Sequence, residues 1–163
     1  MNQRVETFPT QPSAEQVQRL RLILADILQC CQDRMTYESK LFDLPQAEIK
    51  TLLLFLEERY LTAKNMALKL EVGKSRVSKV IQGLLAKGLI EKIEDPRDNR
   101  FKLLSLTRAG QEKAAQMDRF INEIHSEVLL QMESQRRLTV LSALELLWSA
   151  MDGIKKELRL KVR

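Results

Sequence analysis

Apolar residues return at helical spacing from Val17 onward: Val17, Leu20, Ile23/Leu24, Ile27/Leu28 and Cys31. That period predicts an amphipathic helix over about 14–37, with Ser13 as N-cap and Gln16 completing a capping box. Pro45 opens a second helix in the first turn, where its missing N–H costs nothing, and Ile49, Leu52/Leu53 and Leu56 carry it to about Tyr60. A short helix capped by Thr62 runs to Leu70, and the tight turn Glu71-Val72-Gly73 leads into a helix from Lys74 that Gly88 stops after Lys87. Two strands, 89–94 and 101–106, then flank DPRDNR, whose Asp95-Pro96 start suits a turn because proline presets φ. Thr107 caps a further helix, and Ala114, Met117, Phe120/Ile121, Ile124, Val128, Leu129 and Met132 extend it to about Glu133. Past a break near Ser134, a last helix carries Leu138, Leu141, Leu144, Leu147/Trp148, Met151, Ile154 and Leu158.

Helix, turn, helix and hairpin in that order predict a mainly α fold with a small β-wing, a winged helix-turn-helix, between long N- and C-terminal helices. Four regions follow. Residues 1–13, with Pro9 and Pro12, read as a mobile arm; 14–42 as a first dimerisation helix; 43–106 as the winged helix-turn-helix; 107–163 as C-terminal dimerisation helices. The dimer is inferred from the terminal stripes, which have no obvious partner in so small a core. Apolar area is worth roughly 25 cal/mol per Å² when buried, so these stripes either fold back on their own chain or, as expected here, interleave with a second subunit.

Composition narrows the class. With 44% hydrophobic and 30% charged residues over 163 positions, the chain is expected to be globular, and no apolar run approaches a membrane span. No basic head precedes an apolar stretch at the N-terminus, and the two cysteines are adjacent, so a cytoplasmic location without secretory signal or membrane contact is expected. The net charge is +5. Between Thr62 and Leu106 stand ten Lys/Arg and five Asp/Glu, which leaves 17 of each sign elsewhere. The whole excess therefore sits in the winged segment, an electrostatic footprint for a polyanion.

The chemistry fits duplex DNA. In the helix after Gly73, Val77, Val80/Ile81 and Leu84/Leu85 form the inward stripe, which turns Lys74, Ser75, Arg76, Ser78, Lys79 and Gln82 outward. A recognition helix offers its N-terminal residues to the major groove. Arg76 can pair with guanine and Gln82 with adenine, while Ser75, Ser78 and Lys79 suit phosphates and the positive helix end near Lys74 assists them. The hairpin tip projects Arg97, Asn99 and Arg100, and a guanidinium there matches the narrow, negative minor groove. Asp95, an acid, is given a structural job: capping the turn and pairing with Arg100 so that Arg97 points outward. The alternative for both sets is ordinary solvated surface charge.

From Leu44 to Met117 the chain resembles the MarR (multiple antibiotic resistance regulator) family. The stretches LPQAEIKTLLLF, KSRVSKVIQGLLAKGLIE and DPRDNR followed by LSLTRAG carry the likeness over about half the chain. The resemblance implies a homodimeric transcription regulator, expected to be a repressor, that reads a pseudo-palindromic double-stranded DNA operator. Contacts would centre on Ser75, Arg76, Ser78 and Lys79, with Arg97 in the minor groove buttressed by Asp95 and Arg100. It also implies a small aromatic or anionic effector bound between the dimerisation helices and the winged helix, where Arg34, Tyr37 and Phe42 fall as candidates. Some members sense peroxide through a first-helix cysteine, so redox switching through Cys30/Cys31 is an alternative to small apolar packing. One departure stands out: Glu71 occupies a turn position where glycine is common, at about 1 kcal/mol if the backbone is left-handed.

Other signals lead nowhere. Gly73-Lys74-Ser75 echoes the end of a phosphate-binding loop, but residue 68 is Leu where that motif needs Gly. His125 has no visible partner and reads as a surface or interface residue. No enzyme signature, metal set or cofactor requirement is visible. A winged helix repurposed for protein–protein contact remains as a third reading, against which Arg97 and Arg100 speak.

Overall fold

Ser13 starts the first helix as its side chain dictates. Its hydroxyl accepts from the Gln16 backbone N–H at 3.1 Å while its own N–H donates to Gln16 Oε1 at 2.8 Å. The computed structural model describes residues 11–94 and 102–161, which divide into two units between Ala114 and Ala115. In the first unit α1 (Ala14–Phe42) is followed by α2 (Gln46–Glu57), α3 (Ala63–Lys69) and α4 (Lys74–Ala86), then by β1 (Ile90–Glu94) and β2 (Lys102–Leu106). Helix α5 (Arg108–Leu130) begins in this unit and continues into the second, which α6 (Ser134–Lys161) completes.

Helix α1 runs five residues beyond the expected Tyr37. The stripe used to place its end stops at Cys31, but nothing breaks the helix before Asp43. That residue adopts φ 52°, and its N–H and that of Leu44 both close on the Ser39 carbonyl. Helix α2 ends earlier than expected, at Glu57, because Glu58 turns extended (φ −133°) to deliver Leu61 to the sheet. Leu61 exchanges two backbone hydrogen bonds with Leu104, at 3.0 and 2.8 Å. That single-residue bridge ties the link between α2 and α3 to the wing.

The two strands pair antiparallel, with Ile90 opposite Leu106 and Glu94 opposite Lys102. Ile90 and Leu104 are buried with Leu44, Ile49, Leu52, Phe55, Leu61, Met66, Val77, Val80, Ile81 and Leu84, a continuous small core. The β1 strand starts one residue later than expected, since Leu89 instead presents its carbonyl to the Thr107 N–H at 3.1 Å. Thr107 is the cap expected for α5: its hydroxyl accepts from the Gly110 N–H at 3.1 Å and donates to the Gly88 carbonyl at 2.6 Å.

In the second unit, Arg137 of α6 donates through Nε to the carbonyls of Leu129 (2.9 Å) and Met132 (3.3 Å) just past the end of α5, where the Leu129 oxygen also accepts from the Met132 N–H at 3.1 Å. Leu138, Leu144, Leu146, Trp148, Met151, Ile154 and Leu158 of α6 are all exposed in the single chain. So are Val17, Leu20, Ile23, Ile27 and Leu28 of α1. No helix among the described residues is long and apolar enough to cross a membrane.

Candidate nucleic-acid interface

Helix α3 is built as a positioning helix. Thr62 caps it by accepting from the Asn65 N–H at 3.1 Å, and Met66 points wholly into the core. Lys69 in its last turn holds Glu58 (2.9 Å) and Glu57 (3.3 Å) at the end of α2. Those hydrogen bonds, Glu58 first and then Glu57, raise the ammonium pKa above 10.5. A raised pKa means that the pair contributes below that value and fades as pH rises through the shifted one; the site is open to water, so salt screens it as well.

The turn to the next helix places Glu71 at φ 52°, the left-handed geometry at which an L side chain is strained. The Val72 N–H reaches back to the Ala67 carbonyl at 3.1 Å and closes the turn. Gly73 then caps α4 without a side-chain hydrogen bond.

The sequence divides α4 cleanly. Val77, Val80, Ile81 and Leu84 are buried, and Leu85 is half-buried. At about 100° per residue, Ser75, Lys79 and Gln82 run along the opposite line, flanked by Ser78 and Lys74 on one side and Arg76 on the other. All six are exposed. The Ser78 hydroxyl donates to the Lys74 carbonyl at 3.0 Å, which leaves its lone pairs outward. The helix ends at Gly88 (φ 65°), where the Gly88 and Leu89 N–H groups return to the Leu85 and Leu84 carbonyls at 3.0 Å each. The result is a firmly seated helix with a polar, cationic outer face and no acid on it.

Asp95, Arg97, Asn99 and Arg100 lie outside the described residues; the strands that bracket them, β1 and β2, are in place. On α1, Cys30 is exposed and Cys31 half-buried, both as free thiols. Arg34 pairs with the buried Glu38 one turn on. Tyr37 is exposed, whereas Phe42 is in the core with the Lys113 ammonium 5.6 Å from its ring centre. An open groove of ≈ 660 Å³ lies elsewhere, between the end of α2, the outer face of the sheet and the start of α5, with Phe55, Tyr60, Ile93 and Leu106 among its walls. No cluster of three or more metal-ligating side chains occurs among the described residues.

Sequence reasoning missed Glu48. This α2 carboxylate is buried and accepts from the Lys87 ammonium at 2.7 Å, at the C-terminal end of α4. The signal was present in the chain: an acid next to Ile49 and one turn before Leu52, on the face that must turn inward.

Comparison with solved structures bears on the whole arrangement. Streptococcus pneumoniae FabT in complex with DNA superposes with a TM-score of 0.74 at 20% identity, covering 85% of this chain and 99% of that one. The YusO protein of Bacillus subtilis gives 0.69 at 24% identity, over 85% and 99% of the two chains. A cysteine-to-serine mutant of MarR from E. coli gives 0.66 at 20% identity, over 88% and 98%. The chain has the MarR-type winged-helix fold. The likeness runs through the terminal helices as well as the winged segment, since the alignments span nearly all of each relative. A family model described as "Sugar-specific transcriptional regulator TrmB" matches residues 40–107, from the end of α1 to the start of α5. No curated protein matches the sequence. Within the MarR-type fold, α3 and α4 make up the helix-turn-helix, and β1 and β2 form the wing.

Proposed function

We propose that this chain is a cytoplasmic, homodimeric, sequence-specific regulator of transcription, a repressor of the MarR family whose grip on its operator is relieved by a small aromatic or anionic effector. The observation that carries the reading is the division of α4: an apolar face sunk in the core and Lys74, Ser75, Arg76, Ser78, Lys79 and Gln82 all exposed. In the major groove, Arg76 would read a guanine edge and Gln82 an adenine edge, while the serines and lysines hold phosphates. Arg97 and Asn99 of the wing would enter the neighbouring minor groove, with Asp95 and Arg100 bracing the hairpin. DNA-bound FabT, a protein of the same fold, supports this mode.

Dimerisation rests on the terminal helices. Trp148 is 69% exposed and Leu138 76%, and a row of Leu, Ile and Met accompanies them along α6. Apolar area of that extent left in water would forgo roughly 25 cal/mol per Å². Interleaving with a second copy removes it and sets two recognition helices about one DNA turn apart.

Selection from a pool of random duplexes tests the reading. The protein is expected to enrich a pseudo-palindrome whose half-sites are centred about 10 base pairs apart. Enrichment of a single unrepeated half-site would count against the dimer, and no enrichment would count against sequence-specific binding.

A further inference from the structure

Glu48 is an acid where the pattern of α2 calls for an apolar residue. It is 6% exposed, and Ile49 and Leu52 beside it are wholly interior. Its carboxylate is seated against α4 at Gly83: a Cβ at that position would overlap Glu48 Oε1 and lie 3.3 Å from Cδ. One turn further along α4, Lys87 reaches back and donates to Glu48 Oε2 at 2.7 Å. Gly83 and Lys87 thus form a notch and a clasp on one face of the helix, and Glu48 fills both.

Such a pair is a poor means of gaining stability, because desolvating a carboxylate offsets much of the attraction and an apolar residue would serve as well. What it adds is direction. A charge-assisted hydrogen bond weakens steeply with angle, whereas apolar packing against Val80 and Leu84 tolerates rotation. We propose that Glu48 and Lys87 are positioning residues for DNA recognition: the pair fixes the rotation and tilt of α4 against α2, and so decides whether Arg76 and Gln82 meet base edges. A contact to a base edge must be held to within about 0.5 Å, and the clasp sits where a small rotation would move the whole outer face. The inference rests on the DNA-binding reading above.

The sign of the effect separates positioning from direct electrostatics. Removing a negative charge near DNA should tighten binding to any sequence. Positioning predicts the reverse for the cognate site alone. With the full chain and an operator obtained by selection, Glu48→Gln is expected to lose roughly tenfold in cognate affinity, about the worth of one weakened base contact, with binding to scrambled duplex unchanged or tighter. Without DNA, residual dipolar couplings of the α4 amides should depart from the orientation they share with α2 in the wild type. Lys87→Met, at a half-open site, supplies the same comparison if Glu48→Gln fails to fold. Unchanged couplings together with an unchanged ratio of cognate to scrambled affinity would overturn the proposal. If the wild type binds no duplex specifically, the DNA reading fails on its own, and the couplings still decide whether the pair sets the helix: altered couplings support that, unaltered ones refute it.

Discussion

Gly110→Ala is expected to destabilise the fold by about 2–4 kcal/mol, although the same exchange inside an unencumbered helix would add up to about 1 kcal/mol. Gly110 stands in the first turn of α5, where its Cα passes directly beneath the Leu89 carbonyl. An added Cβ would overlap that oxygen, lie 2.9 Å from the Leu89 carbonyl carbon and 3.2 Å from Leu106 Cδ2. Two of those three atoms are backbone, held by the Thr107 N–H to Leu89 hydrogen bond, so no side-chain rotation relieves the overlap. The steric cost therefore outweighs the gain in helix propensity. Gly153 is the natural control: it lies inside α6 with nothing within 4 Å of an added Cβ. Urea unfolding should show Gly110→Ala well below the wild type and Gly153→Ala at or slightly above it. Equal stability of the two variants would mean that the first turn of α5 does not press on the Leu89 carbonyl.

Arg76→Ala carries the largest expected effect on function. If Arg76 pairs bidentately with a guanine, its loss should cost about 1–3 kcal/mol, or roughly 5- to 150-fold in operator affinity, and should relax the preference at one base pair of each half-site. Lys79→Ala should behave differently. Removing a phosphate-binding ammonium weakens cognate and scrambled duplex alike and lowers the slope of log K against log salt by about 1 per site. Competition binding against operators altered one base pair at a time distinguishes the two. A uniform loss for Arg76→Ala would reassign it to the phosphate backbone.

The parts of this fold that repeat were legible in the sequence. The stripe Val77, Val80, Ile81 and Leu84 gave the inner face of α4 because burial imposes a period, whereas the left-handed backbone at Glu71 was raised only as a condition, at a turn position where glycine is common, and φ 52° meets it. The capping box at Ser13 and the cap at Thr107 were legible because each hydroxyl meets its donor within one turn. The features that escaped are those decided by a single distant neighbour. The bridge between Leu61 and Leu104 has no period to betray it. The extension of α1 to Phe42 fell beyond the last residue of the stripe. The inward position of Glu48 can be read from its place one turn before Leu52, but its partners Gly83 and Lys87 lie 35 and 39 positions along the chain, and nothing local names them. Gly110 reads as a poor helix former until the Leu89 carbonyl is found above it. The wing residues Asp95, Arg97, Asn99 and Arg100 lie outside the described residues, and their roles stand as proposals.

The most direct test is a fluorescence-anisotropy titration of the wild type on duplex from the gene's own upstream region and on a scrambled duplex of equal length, at two salt concentrations, with Arg97→Ala alongside. The account predicts tight, salt-sensitive binding that favours the upstream duplex by about 10³-fold or more and weakens when Arg97 is removed. Absence of binding to either duplex at low salt would contradict it, and would turn attention to the exposed face of α4 as a surface for another protein.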